Sequence, residues 1–242
     1  MEDPRVVGRT RIALLTLGMV FAVFATVVGA AEGPHPRWAV AFLKFDATAV
    51  LVALALVLLW SGQVNVRAQR WLVAALALEV LCDFFIEFWV VAGGLCSAVG
   101  MVLYACSFAQ HPPIGGVGRR WFVGAALVVG LVLVFIAAAT LGRPAGSSFG
   151  APLDWAYTFY MTLLSAAVAT AFVHRVPAIY RWAIVIFYVS DFFVYWGGVF
   201  GPLGLLVILN SLTYYPAQLL FAWGHKKTPG VSGGLVGGEG AN

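Results

Sequence analysis

The chain has 242 residues, 62% of them hydrophobic and only 10% charged, with a mean hydropathy of +0.94 and a net charge of +4. A soluble domain carries about 25% charged residues, so this composition excludes an ordinary soluble globular fold. The basic excess forms no stripe on a soluble face, which excludes a nucleic-acid footprint.

The apolar residues lie in blocks close to the length that crosses about 30 Å of hydrocarbon at 1.5 Å per residue. The first block, Ile12–Ala31, follows Arg5, Arg9 and Arg11. It has the look of a secretory signal ending at Gly29-Ala30-Ala31, but its apolar core exceeds the roughly 7–15 residues of such signals. An uncleaved first span is expected. The second block is Ala39–Trp60, which carries Lys44 and Asp46. The third is Trp71–Ala92, with Glu79, Asp83 and Glu87, and the fourth and shortest is Leu95–Gln110. Trp121–Leu141, Trp155–Val173, Ile179–Phe200 and Leu203–Trp223 complete the set. After Lys227 the chain turns Gly-rich, the composition of a flexible tail over 228–242. The expected fold class is an all-α membrane protein with eight transmembrane helices in a single domain, 1–227, whose halves cover about 12–110 and 121–223.

Charge tests this count. Eight spans put Arg5, Arg9, Arg11, Arg67, Arg70, Arg119, Arg120, Arg175, Arg181, Lys226 and Lys227 on the N-terminal side. Arg37 and Arg143 alone fall on the other, and Lys44 lies within a span. The positive-inside rule then makes both termini cytoplasmic, in a multi-pass protein of the cell (inner) membrane. Most of the Trp residues lie near block ends, as an interfacial belt does.

Cys82, Cys96 and Cys106 all sit in apolar blocks, where free Cys behaves as a small buried hydrophobe. Their spacing suits neither a disulfide nor a metal. His35, His111, His174 and His225 fall in loops or at block ends and share no helical face. No metal and no cofactor is expected.

The halves resemble each other. Cys82–Gln110 aligns without gaps to Ser190–Gln218, with nine of 29 positions identical, among them Asp83/Asp191, Phe84/Phe192, Phe85/Phe193, Ala109/Ala217 and Gln110/Gln218. The alternative is chance similarity between two hydrophobic hairpins. A duplication would equate blocks three and four with seven and eight and preserve their orientation. That implies a pseudo-twofold axis along the membrane normal, as in parallel transporter repeats, with Asp83 and Asp191 at equal depth.

An ionisable residue at the bilayer centre costs roughly 2.5–3.5 kcal/mol on insertion scales and usually marks function. The blocks hold Lys44, Asp46, Glu79, Asp83, Glu87 and Asp191. Glu79, Asp83 and Glu87 recur every fourth residue, a single stripe if the third block is one helix. Tyr188 and Tyr195 flank Asp191, and Asn210, Tyr214 and Gln218 form a third stripe at the same spacing. These residues can converge on one polar cavity. Five carboxyls beside one lysine cannot all be ionised in a low-dielectric site, which suits one of Asp83 and Asp191 to act as a general acid. Blander roles are open to the others. Lys44 can pair with Asp46 or Glu87 or snorkel to the interface. Glu79 and Glu87 can bond between helices, Asn210 and Gln218 can be helix glue, and Tyr214 and Tyr215 can be packing aromatics.

Several segments resemble the YhhN family of lysoplasmalogenases, integral membrane hydrolases with eight predicted spans. The family's Lys-Pro near the start of span two corresponds to Lys44-Phe45 here, and its Gly-Asp in span three to Cys82-Asp83-Phe84-Phe85. Its His-Leu-Leu-Tyr corresponds to Met101-Val102-Leu103-Tyr104, its Ser-Asp to Ser190-Asp191, and its last-span Tyr-Tyr-x-Ala-Gln to Tyr214-Tyr215-Pro216-Ala217-Gln218. The ordered set covers about Lys44 to Phe221. Phe45, Cys82 and Met101 depart from the pattern, as in a distant member.

The resemblance implies cleavage of the vinyl-ether bond of a lysoplasmalogen, with lysophospholipid as substrate and no nucleic-acid partner. Asp83 and Asp191 are the expected catalytic pair. Lys44, Glu79, Glu87, Tyr104, Tyr188, Asn210, Tyr214, Tyr215 and Gln218 are the expected substrate-binding set. The residues themselves fit this chemistry, because paired carboxyls can protonate one atom and stabilise an adjacent oxocarbenium ion. The main rival is a proton-coupled transporter, which uses buried carboxylates and pseudo-symmetry in the same way; Gly197-Gly198 and Pro216 would then mark interrupted helices. A lipid-binding scaffold ranks third, and a retinal protein is disfavoured because the last spans hold no Lys for a Schiff base.

Overall fold

A computed structural model describes residues 10, 13–14, 16–20, 23–24, 37–60, 66–143, 149–200 and 204–222. Among these residues the chain is helical, with one isolated bridge between Pro113 and His174. Backbone groups in hydrocarbon must find partners within the segment, and long apolar runs satisfy this as helices. The helices with full bounds are α1 (Arg37–Trp60), α2 (Val66–Phe85), α3 (Val90–Phe108), α4 (Val117–Leu141), α5 (Pro152–Val173), α6 (Ala178–Phe200) and α7 (Gly204–Ala222). Residues 16–20 of the first block are helical too and lie on α1, where a Cβ at Gly18 would touch Leu51 and Val50. Gly29–Ala31, His35, His225 and the Gly-rich tail lie outside the described residues. Helices α3 to α7 are each long and apolar enough to cross a membrane. With Arg67, Arg70, Glu79 and Asp83, α2 is the least apolar of the helices.

One expected boundary is wrong. The third block does not run unbroken to Ala92, because α2 ends at Phe85 and α3 begins at Val90. The break expected at Gly93-Gly94 falls inside α3. Gly93 serves close packing there: a Cβ on it would lie 2.9 Å from the Ile86 backbone. The four-residue turn is as tight as it is because Gly93 lets the first turn of α3 close on the Ile86 backbone. Two expected interruptions are also absent, since α6 runs through Gly197-Gly198 and α7 through Pro216.

Packing follows the chain and then closes on itself. Neighbours α1–α2, α2–α3, α4–α5, α5–α6 and α6–α7 pack together, and α3–α5, α1–α7 and α2–α7 close the bundle. An aromatic cluster joins three helices at its centre: Tyr104 of α3 stacks on Phe221 of α7 at 4.5 Å, and both approach Phe187 of α6. Helix α4 lies at the periphery and buries only Phe135 and Ala139, leaving an apolar face suited to lipid.

The turns after α3 and α5 are clasped by main-chain bonds, Ile114 N–H to Val173 O (2.8 Å) and Arg175 N–H to Pro112 O (2.7 Å). His111 lies in this clasp. Burial, with a smaller push from His174, holds its imidazole below the usual histidine value of 6.5. The open clasp therefore takes up the proton more readily than the closed one, so clasp stability is full above the ordinary value and falls as pH drops through it. Amide exchange at Ile114 and Arg175, corrected for intrinsic rate, is expected to quicken below pH 6.5 in the parent and not in His111→Gln. Equal pH profiles in the two proteins would refute this role.

Candidate functional site

Three buried carboxyls from two helices meet in the interior. Asp83 on α2 is 8% exposed, Glu79 one turn earlier is 1% exposed, and Asp191 on α6 is 7% exposed. Each is met by hydroxyls from neighbouring helices. Thr48 of α1 and Tyr214 of α7 (2.9 Å) both donate to Asp83 Oδ2. The Thr48 hydroxyl also lies 2.7 Å from the Lys44 carbonyl. Tyr160 of α5 donates to Asp191 Oδ2 at 2.9 Å. Ser97 of α3 lies 3.2 Å from both Glu79 oxygens and 3.2 Å from the Tyr160 hydroxyl. Glu79, Ser97, Tyr160 and Asp191 thus form one continuous chain across four helices. Gly100 makes room for it, since a Cβ there would stand 2.7 Å from Glu79 Oε1.

Further polar pairs surround this centre. The Tyr104 hydroxyl donates to Gln218 Oε1 at 3.1 Å, and both side chains are fully buried. Ser190, next to Asp191, donates to Asn210 Oδ1 at 2.7 Å. Lys44 forms an ion pair with Glu87, with both side chains partly exposed. Tyr215 packs edge-on against Tyr214. Burial without partners is costly for carboxyls and hydroxyls, so these pairings are what permits a polar centre in an apolar bundle.

Some expected placements differ. Glu87 is not part of a stripe on α2 but lies in the turn beyond it, where the helix has already ended. Tyr188 and Tyr195 flank Asp191 in sequence, yet neither hydroxyl reaches it: Tyr188 donates to Leu131 O (2.6 Å) and Tyr195 to Asp154 Oδ1 (2.8 Å). The carboxyls are joined by direct bonds to hydroxyls. A cavity of about 750 Å³ opens elsewhere, at the N-terminal end of α2, lined by Arg67, Arg70, Trp71 and Gln110 among others.

Sequence reasoning missed Thr48, Ser97 and Tyr160. Thr48 and Ser97 belong to a residue type that commonly bonds back to its own helix, and Tyr160 is one of six hydroxyl residues in its block. It also missed a second polar cluster. Asp154, near the start of α5, forms a buried ion pair with Arg143 and accepts from the Gly150 and Ala151 amides (2.8 Å each). Arg143 donates in turn to the Tyr195 hydroxyl at 2.7 Å.

No curated protein and no solved structure matches the chain. The model of the YhhN family matches residues 41–225. That segment holds every group of the carboxyl–hydroxyl network and most of the bundle, and on this match the chain belongs to the YhhN family.

Proposed function

We propose that the protein is a membrane-embedded hydrolase that cleaves the vinyl-ether bond of lysoplasmalogen-type lysophospholipids, with Asp83 and Asp191 as its catalytic pair. The observation that carries this reading is two buried carboxyls, one on α2 and one on α6, each held by hydroxyl donors, within a chain of this family. Vinyl-ether hydrolysis needs that equipment. One carboxyl protonates the alkene carbon, the neighbouring carboxylate stabilises the oxocarbenium ion and takes a proton from attacking water, and the hemiacetal collapses to a fatty aldehyde and a glycerophospho-base. Lys44 and Glu87, at the edge of the network, would meet the head group. Tyr104, Tyr214, Tyr215, Asn210 and Gln218 would shape and orient the interior.

The reading includes eight spans with both termini cytoplasmic, supported by the charge distribution and the helical residues of the first block. It also includes two related halves. Equating α1, α2 and α3 with α5, α6 and α7 exchanges the α1–α2 contact with α5–α6, α2–α3 with α6–α7, and α3–α5 with α7–α1, and all six contacts occur. That correspondence also favours a second reading, a proton-coupled carrier using the same carboxyls.

The deciding experiment is aldehyde release from a lysoplasmalogen by the purified full-length protein in detergent. Release by the parent is expected. A folded, monodisperse protein that releases none, yet moves protons with a solute when reconstituted in vesicles, would overturn the hydrolase in favour of the carrier.

A further inference from the structure

The chain Glu79–Ser97–Tyr160–Asp191 has three contacts but only two hydroxyl protons. A hydroxyl donates one bond and can accept others, whereas an ionised carboxylate only accepts. If both carboxyls are ionised, Ser97 donates to Glu79, Tyr160 donates to Asp191, and the 3.2 Å contact between the two hydroxyls is left without a proton. One added proton completes it. With Glu79 protonated, the bonds run Glu79 to Ser97 to Tyr160 to Asp191. With Asp191 protonated, they all reverse. The two arrangements differ by one step of each proton along the chain, with no heavy atom displaced.

Asp83 is connected differently. Its hydroxyl partners are Tyr214 and Thr48; the one Thr48 proton goes to Asp83, and the Lys44 carbonyl beyond it, already bonded within its own helix, needs no further donor and never supplies a proton. A carboxyl at the end of a wire from a second carboxyl can be reloaded. One whose neighbour ends on a backbone carbonyl can be stabilised when charged but not reloaded that way.

We propose that Glu79 and Asp191 share a single proton through the Ser97 and Tyr160 hydroxyls, which makes Asp191 the general acid and Asp83 the ionised partner. The assignment of acid and base rests on the hydrolase reading; the shared proton does not. In turnover, Asp191 gives its proton to the alkene carbon and the ether oxygen takes up the positive charge. Water adds to the cation while Asp83 takes the proton that water loses. Collapse of the hemiacetal moves its hydroxyl proton to the departing alcohol oxygen. One proton then sits on Asp83 in place of Asp191. Glu79, one turn from Asp83 on α2 with Cβ atoms about 5–6 Å apart by helical spacing, passes a proton through Ser97 and Tyr160 to reload the acid, and the next water to enter the site carries the Asp83 proton back to Glu79. Glu79, Ser97 and Tyr160 are positioning residues that act through Asp191.

Infrared spectroscopy of the full-length protein in detergent, without substrate, reads the shared proton from the carbonyl stretch of a protonated carboxyl. One such band is expected near neutral pH, lost or shifted in both Glu79→Gln and Asp191→Asn and unchanged in Asp83→Asn. A band that vanishes in Asp83→Asn, or that ignores Glu79→Gln, overturns the proposal. The turnover test uses Ser97, which touches neither aspartate. Ser97→Ala is expected to keep the rate of the first turnover but slow steady-state aldehyde release by at least about tenfold, within the range of general acid–base effects. Ser97→Thr, which restores the hydroxyl, is expected to recover it. Steady-state release at the parent rate in Ser97→Ala overturns the reloading role. A parent that shows the shared band yet releases no aldehyde overturns the hydrolase and leaves the shared proton standing.

Discussion

Asp191→Asn and Asp83→Asn are each expected to lower the rate of aldehyde release by about 10²–10⁴-fold, the usual worth of a positioned acid or base. Neither change should unfold the protein. Asparagine keeps the size of aspartate, and its amide oxygen still accepts from Tyr160 at 191 or from Thr48 and Tyr214 at 83. What is lost is a titratable proton at one site and a negative charge at the other. The double variant is expected to be little worse than the poorer single one, because groups acting in a single step are strongly non-additive. Parent-like release in either single variant, with equal protein in a monodisperse peak, would remove that residue from the chemistry.

The two aspartates were legible because a carboxyl in an apolar block has few innocent explanations. Helix positions were legible because hydrocarbon thickness sets block length, and six of the eight block ends expected for α4 to α7 fall within two residues of the helix bounds. The turn between α2 and α3 was not. Phe85-Ile86-Glu87-Phe88-Trp89 contains no glycine or proline, so nothing local marks it, while Gly93-Gly94 marks a break that does not exist. The glycine there answers a tertiary demand, close approach to Ile86. The hydroxyl wire was illegible for a related reason. Ser97 and Tyr160 are 63 residues apart, and only the packing of α3 on α5 brings them together. Tyr195 shows the converse error, since its spacing from Asp191 suggested a partnership that its hydroxyl makes with Asp154 instead.

That second cluster should matter for stability rather than catalysis. Asp154 is 1% exposed and collects four donors, from Arg143, Tyr195 and the amides of Gly150 and Ala151. It therefore fastens the segment between α4 and α5 to α6. Removing one partner leaves the other charge buried without its counterpart, which costs about 3–5 kcal/mol in a deep interior. Arg143 lies beyond the end of α4, where water can approach, and hydrogen bonds to charged groups are worth about 1.5–3 kcal/mol. Asp154→Ala is accordingly expected to destabilise the protein by about 2–3 kcal/mol in reversible unfolding in mixed micelles, between those two limits. The double change Arg143→Met with Asp154→Leu is expected to recover much of the loss, because an apolar pair leaves no orphaned charge. Tyr195→Phe, which removes one donor and keeps the ring packed on Phe135 and Tyr157, is expected to cost less than Asp154→Ala. An Asp154→Ala protein as stable as the parent would show that the cluster fastens nothing. Loss of aldehyde release in a stable Asp154→Ala protein would instead place the cluster within the catalytic path, through the contact of Tyr195 with Tyr157 and of Tyr157 with Tyr160.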